Sequence, residues 1–382
     1  MKGGKPRIAL IRQRYNPYGG AERIVTSILQ ELAASGATVN LITRRWEKSS
    51  AFEPLIVDPF YVGRLWRDKS FARAVSRLLS EKSFDLVQAN EKIPGCDVYR
   101  AGDGAHREWL LQRARVAGPM ERLWLRVSPY HRFVLDRERA VLRHPRLKAV
   151  ICISRMVRAD LKRHYDVSED KLKVIYNGVD SERFHPEPRE HRRAIRNALA
   201  IPDEAPLYLF VGSGYARKGV PALLEAFSGL PTSAYLVIIG KDSRQKYYSD
   251  AARRMVIGNR VRFLGGVADV RPYYNAADVF VLPTLYEPFG SVVLEAMASG
   301  LPVITSRTCG AGELLRTGEQ GFVCDALDVA VLRDCMAQLL DRGLAKRMGE
   351  GARAIAETMT VKKMADEMMQ LYTSLLDERS ST

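Results

Sequence analysis

The sequence predicts an α/β protein made of two doubly wound parallel-sheet, Rossmann-like domains facing a cleft. Three observations lead there. Short β-rich runs alternate with longer helix-like segments along the whole chain, the pattern of parallel strands joined by crossover helices. Most of those runs are apolar on both faces, as strands covered on both sides must be. At 382 residues the chain exceeds the size at which one core usually keeps growing, so the alternation divides into two series.

In chain order the first series is RIALI (7–11), TVNLIT (38–43), DLVQA (85–89), AVICIS (149–154) and LKVIYN (172–177). The second is LYLFVG (207–212), AYLVIIG (234–240), VRFLG (261–265), DVFVLP (278–283) and PVITS (302–306). Between them SERFHPEPREHRRAIRNALAIPDEAP is polar and carries four prolines, which reads as a linker with one helix. The expected domains are therefore 1–185 and 186–360, followed by a terminal helix, 361–382, free to pack back on the first.

Composition narrows the class. Hydrophobic content of 46% and charged content of 27% are those of a folded protein, and no window approaches the roughly 18 apolar residues of a membrane span. The N-terminal MKGGKPRIALIRQRYN is broken by Arg12 and Arg14 where a signal peptide needs an apolar core, so a cytoplasmic protein is expected. Five widely spaced cysteines without a CxxC pair read as reduced structural thiols, with no zinc site. The net charge of +15 is unevenly placed: residues 1–180 hold 34 Lys+Arg against 20 Asp+Glu, or +14, and the rest 25 against 24. Such a field attracts nucleic acid, anionic lipid or a phosphorylated saccharide.

In open α/β sheets ligands bind beyond the carboxyl ends of the strands. After the first strand, Gly19 and Gly20 precede a helical segment, either as a phosphate-approaching turn or as a plain glycine turn. After LYLFVG, Arg217 and Lys218 fall at the expected start of the next helix. Cations are disfavoured there by the helix dipole unless an anion binds, the rival being a solvated surface pair. After DVFVLPT comes LYEPFGSVVLEAMASGLPVI, in which Phe289, Gly290 and Ser291 can each aim an N–H at a phosphate or sugar oxygen. Glu287 lies in the loop, and Glu295 sits inside an apolar helical run. A buried carboxylate needs a partner, and a ribose diol or an internal Arg or amide are equal candidates.

EPFGSVVLE resembles the E-x7-E signature of family 4 retaining glycosyltransferases of the GT-B fold, and GSGYARKG, NGVD (177–180) and ASGLPVI (298–304) are similar to the same family's pattern, in order, over essentially the whole chain. NEKIPGCDVYRAGD (90–103), followed by HREW, resembles the bacterial lipopolysaccharide core glucosyltransferases within that family. The resemblance implies transfer of a hexose, glucose favoured, from a nucleotide-sugar donor, a UDP-sugar, whose ribose Glu295 holds and whose sugar hydroxyls meet Glu287 with the Phe289 and Gly290 amides. It implies that Arg217 and Lys218 neutralise the leaving diphosphate, helped by Gly19 and Gly20, and that no metal or other cofactor is required. Asp103 stands where most relatives carry a histidine beside the reacting carbon. A sugar-nucleotide 2-epimerase uses acid/base residues in place of ARKG and E-x7-E. A nucleic-acid-binding protein would need aromatic platforms, zinc spacing or a helix-turn-helix, none of which the sequence contains.

From Gly104 to Lys148 eleven Lys+Arg face four Asp+Glu, a net +7. Within it Trp109, Leu110, Leu111, Leu123, Trp124 and Leu125 interleave with Arg107, Arg113, Arg115, Arg122 and Arg126. This basic amphipathic stretch predicts peripheral attachment to the anionic inner face of the cytoplasmic membrane, with Trp109, Arg113, Arg115, Trp124 and Arg126 in contact. The same basic surface also suits a phosphorylated, lipid-linked saccharide acceptor. The rival reading is a helical pair packed on its own domain, with Trp in the core.

Overall fold

A computed structural model describes residues 6–13, 36–46 and 54–380. The chain divides into two compact units, Met1–Asn177 with Val361–Thr382, and Gly178–Thr360. The division falls at 177/178, ahead of the 185 expected. The reason is visible in the linker: Val179 donates its N–H to the Met359 carbonyl at 2.8 Å, so the chain from Gly178 onward already belongs to the second unit.

In the first unit seven strands lie in the order β3-β2-β1-β4-β5-β6-β7, all parallel. They are β1 (Arg7–Ile11), β2 (Thr38–Thr43), β3 (Pro54–Ile56), β4 (Leu86–Ala89), β5 (Val98–Arg100), β6 (Ala149–Cys152) and β7 (Leu172–Val174). Ile8, Leu10, Leu41, Leu86, Val98 and Ile151 form its core, and the terminal helix Val361–Ser380 closes one side with Met364, Met368, Tyr372 and Leu375. The order reverses between β1 and β4.

The second unit has six parallel strands in the order β10-β9-β8-β11-β12-β13. These are β8 (Leu207–Val211), β9 (Tyr235–Ile239), β10 (Val261–Gly265), β11 (Val279–Leu282), β12 (Val303–Ser306) and β13 (Gly321–Cys324). Strands β8, β11 and β12 are buried along their whole length, as apolar runs on both faces require. The linker helix Arg189–Ala198 is bound to this unit by Arg196. Its fully buried guanidinium donates to the carbonyls of Ala276, Pro202, Asp203 and Ala205 at 2.8–3.0 Å and to Asp278 at 2.8 Å. Here the order reverses between β8 and β11.

All ten strands expected from the sequence are present. β3, β5 and β13 are additional; each spans just three or four residues. No helix among the described residues is long and apolar enough to cross a membrane.

Candidate active site

The reversal between β8 and β11 leaves a crevice outside the carboxyl ends of those strands, where ligands of doubly wound sheets bind. Both loops that border it carry charge. The turn after β8 is braced before its cations are placed. The Tyr215 N–H bonds Asp242 at 2.7 Å, and the buried Tyr215 hydroxyl reaches the Gly240 carbonyl at 2.7 Å. Arg217 and Lys218 then precede the helix Val220–Ser228 instead of opening it, because Gly219 caps that helix in the left-handed conformation at φ 81°. A Cβ on Gly219 would lie 1.8 Å from the Pro283 carbonyl oxygen, so only glycine lets the two loops meet this closely. Leu285 donates its N–H to the Arg217 carbonyl at 2.8 Å, joining them directly.

At this junction the structure brings together three of the residues singled out in the sequence. Glu287 Oε2 accepts from Arg217 Nη1 at 2.8 Å and from Lys218 Nζ, and Arg217 also donates to the Tyr286 carbonyl at 2.9 Å. Lys218 is nearly buried, with its stem against Gly212. Burial alone would raise the Glu287 carboxyl, but the Lys218 and Arg217 charges outweigh it and hold the group below its ordinary value of 4.5. The two cations thus have an internal counter-ion. Beside them, burial and the Glu287 charge push the Cys309 thiol up to about 11, so it stays neutral.

The loop holding Glu287 is stitched to the segment after β12. The Glu287 N–H bonds the Thr308 carbonyl at 2.9 Å, and the N–H groups of Gly310 and Ala311 return to the carbonyls of Glu287 and Phe289 at 2.9 and 2.7 Å. Phe289 is buried, and Gly290 caps the helix Ser291–Ala298 at φ 88°. Glu295 is on the buried face of that helix, 6% exposed, and its Oε2 accepts from the Tyr274 hydroxyl at 3.1 Å. The sequence left the partner as a guanidinium, an amide or an external diol. One internal donor is a tyrosine from the short helix Arg271–Ala276, 21 positions upstream, whose hydroxyl also lies 3.2 Å from the Val292 carbonyl.

In the first unit a cavity of about 260 Å³ lies at the reversal between β1 and β4. Among its lining residues are Gln13, Asp68, Glu91, Lys92, Asp103 and Tyr130. Asp103 is exposed, in the turn that follows β5. Glu91, directly after β4, was not singled out by the sequence. It accepts from the Gln13 N–H at 2.7 Å and faces Arg12 at 3.7 Å, while its other oxygen is buried without a hydrogen-bond partner among the described residues. Burial raises its carboxyl to about 7; the Asp103 charge also raises it, against the lowering effects of Arg12 and Gln13. Its position at a strand end, with only Asn90 between it and DLVQA, was the available signal. Gly19 and Gly20 lie outside the described residues.

The basic segment forms three helices, His106–Val116, Pro119–Val127 and Pro129–Leu142. Leu125 is buried, whereas Leu111, Met120, Leu123, Trp124 and Val127 are exposed, so the Trp-in-core alternative fails for Trp124. Trp109 is half-buried and stacks on His106 with 5.4 Å between centroids. Arg113 bonds Glu121 at 2.7 Å and lies over both indoles, Arg115 reaches Gln112, and Arg126 is exposed.

Two family models match, glycosyl transferases group 1 over residues 191–355 and glycosyltransferase family 4 over 18–183. The chain is 28% identical to the lipopolysaccharide glucosyltransferase WaaG of Escherichia coli (strain K12), over 97% of this chain and 99% of that protein. A crystal structure of WaaG superposes with a TM-score of 0.82 at 27% identity, covering 95% of this chain and 99% of that one. A D-inositol 3-phosphate glycosyltransferase of Corynebacterium diphtheriae is 33% identical over 56% of this chain and 53% of its own length. Each model accounts for one of the two parallel-sheet units described above, and the whole-length match in sequence and fold joins them. The chain belongs to the family 4 glycosyltransferases of the GT-B fold.

Proposed function

We propose that this enzyme transfers a hexose, glucose first among candidates, from a UDP-sugar to a lipopolysaccharide core or other lipid-linked saccharide, with retention of anomeric configuration. The observation that carries the reading is the cluster of Arg217, Lys218 and Glu287 at the strand-order reversal of the second unit, with Glu295 buried a short way along the adjoining helix. Its relation to WaaG, named for glucose transfer in lipopolysaccharide synthesis, supports both the sugar and the acceptor class.

Cleaving the bond from sugar C1 to phosphate leaves a positive centre at C1 and a nucleoside diphosphate. Stabilising that leaving group is the main electrostatic task. Lys218 and Arg217 are already fixed by Glu287 and so need little reorganisation to meet a diphosphate, and they take the part that a metal plays elsewhere. Glu287 then turns its oxygens to the donor sugar hydroxyls, with the Phe289, Gly290 and Ser291 amides beside it. Glu295, oriented by Tyr274, receives the ribose hydroxyls. The acceptor hydroxyl attacks from the face that the phosphate leaves and gives its proton to that phosphate; Asp103 positions the acceptor.

In this reading the enzyme works in the cytoplasm at the inner face of the membrane. The exposed Trp124 and Leu123 enter the interface, Trp109 supports them, and Arg113, Arg115 and Arg126 meet anionic head groups. The test is transfer of labelled glucose from UDP-glucose to a core saccharide ending before its first glucose, with the product linkage read by NMR. An α-linked product lost in Lys218→Ala is expected. Glucose transfer only to an inositol phosphate, or inversion at C1, would refute the acceptor or the stereochemistry respectively.

A further inference from the structure

Five large apolar side chains between 56 and 66 point into solvent. Ile56, Phe60, Tyr61, Val62 and Trp66 are 55, 76, 36, 66 and 48% exposed. Phe60 and Trp66 contact each other edge to face, 5.6 Å between centroids. None of the site chemistry uses them.

The segment is held outward by a buried cation. Arg44, 4% exposed, donates Nη1 to Asp58 Oδ1 at 2.7 Å and to the Pro59 carbonyl at 2.9 Å, and Nη2 to the Arg67 carbonyl at 2.7 Å and Ser70 Oγ at 2.8 Å. The guanidinium also lies 4.7 Å from the Tyr61 ring centroid. Nη1 and Nη2 carry all four of these hydrogen bonds, Nε having no partner among the described residues, and they bind the loop after β3 to the helix Gly63–Glu81. Its apolar tips are thereby fixed outward and cannot collapse onto the domain. A clustered apolar surface of this kind marks an interaction site.

We propose that residues 56–66 form a second membrane-inserting surface, in which Phe60, Val62 and Trp66 enter the acyl boundary of an anionic bilayer. The charge around the patch selects that occupant. Arg45, 86% exposed, and the exposed Arg64, Lys69 and Arg73 surround it, while the nearby carboxylate Asp58 is already paired with Arg44 and Arg45. A second copy would bring this positive rim against itself; anionic head groups neutralise it. The patch also adjoins the proposed interfacial helices. Its helix meets Pro129–Leu142 through Asp68 and Tyr130 at 3.4 Å and through Lys69 over the Phe133 ring at 5.4 Å, next to the exposed Val127. The choice of a lipid occupant rests on the membrane attachment proposed above, and the test separates the two.

Full-length single-tryptophan proteins, one keeping Trp66 and one keeping Trp124, are mixed with vesicles of phosphatidylcholine and phosphatidylglycerol carrying brominated chains. Quenching of Trp66 is expected, and Phe60→Ser with Val62→Ser should lower vesicle partition at least about tenfold, with UDP-glucose binding retained. Quenching of Trp124 but not Trp66 overturns this inference and leaves the helical attachment standing. Quenching of Trp66 alone does the reverse. A dimer in sedimentation that the double substitution abolishes, without any vesicle effect, assigns the patch to a second copy and overturns the proposal.

Discussion

Replacing Glu287 by glutamine keeps the shape of the side chain and removes the charge that two cations face. Lys218 Nζ and the carboxylate are mostly buried, with side chains 9% and 17% exposed, whereas Arg217 is 37% exposed. Removing one partner of a buried pair costs roughly 3–5 kcal/mol, and the share belonging to the more exposed Arg217 is screened by solvent, which leaves about 3 kcal/mol for Lys218. For a domain the size of Gly178–Thr360, each kcal/mol lowers the melting temperature by about 2–4 °C, so the variant should melt roughly 6–12 °C below the wild type. The pH dependence has a definite sign. Because the folded-state carboxyl is held below 4.5, its contribution is complete above 4.5 and fades as acid takes the pH through the lower folded value. The gap between wild type and variant should therefore be full at pH 6–7 (a range above about 4.5) and shrink below about pH 4. The assay is differential scanning calorimetry with and without UDP. In the variant the diphosphate becomes the missing counter-ion, so UDP should raise its transition at least as much as it raises that of the wild type. Equal melting temperatures at neutral pH would refute the reasoning, since Glu287 would then not be stabilising Lys218.

Three further outcomes follow from the same geometry. Glu91, raised from 4.5 to about 7 mainly by burial, is protonated in the folded state while the unfolded chain has ionised, so stability falls as pH rises from about 4.5 to 7, by on the order of 3 kcal/mol. Glu91→Gln should flatten that slope in denaturant titrations at successive pH values and be more stable than the wild type at pH 8. Asp103→Ala should abolish most transfer in the glucose assay while calorimetry records unchanged UDP affinity; lost UDP affinity would mean that the residue serves the donor. Tyr274→Phe removes a donor from the buried Glu295 and should cost about 1–3 kcal/mol in urea unfolding, with weaker UDP binding.

The fold was legible because its strands are short, apolar on both faces and separated by helices, a pattern that survives without any tertiary information. β3 and β5 escaped because Pro54–Ile56 is an edge strand opening on proline, and Val98–Arg100 ends on a buried arginine that bonds Asn177 at 2.6 Å. Such a side chain reads as polar until its partner is known. Searching strand ends found Arg217, Lys218, Glu287 and Glu295, since the residues beyond β8 and β11 are contiguous with the strands that position them. It could not find Tyr274. That hydroxyl reaches Glu295 only because a short helix before β11 packs against the helix after it, a pairing set by the sheet and invisible in either segment. The same limit explains the cations: their sequence position suggested an external anion at a helix start, whereas Gly219 delays the helix and Glu287 folds over to meet them. Glu91 was missed for a different reason. One carboxylate between Asn90 and Lys92 shows nothing beyond its place at a strand end, and its character comes from burial beside Gln13 and Asp103.

Titration calorimetry of UDP into the wild type and into Glu295→Gln tests the central assignment most directly. If the buried carboxylate receives the ribose hydroxyls, the substitution should weaken UDP at least about tenfold, equivalent to about 1.4 kcal/mol, while the melting temperature without ligand changes far less than in Glu287→Gln. Wild-type affinity in a folded Glu295→Gln protein would contradict the account.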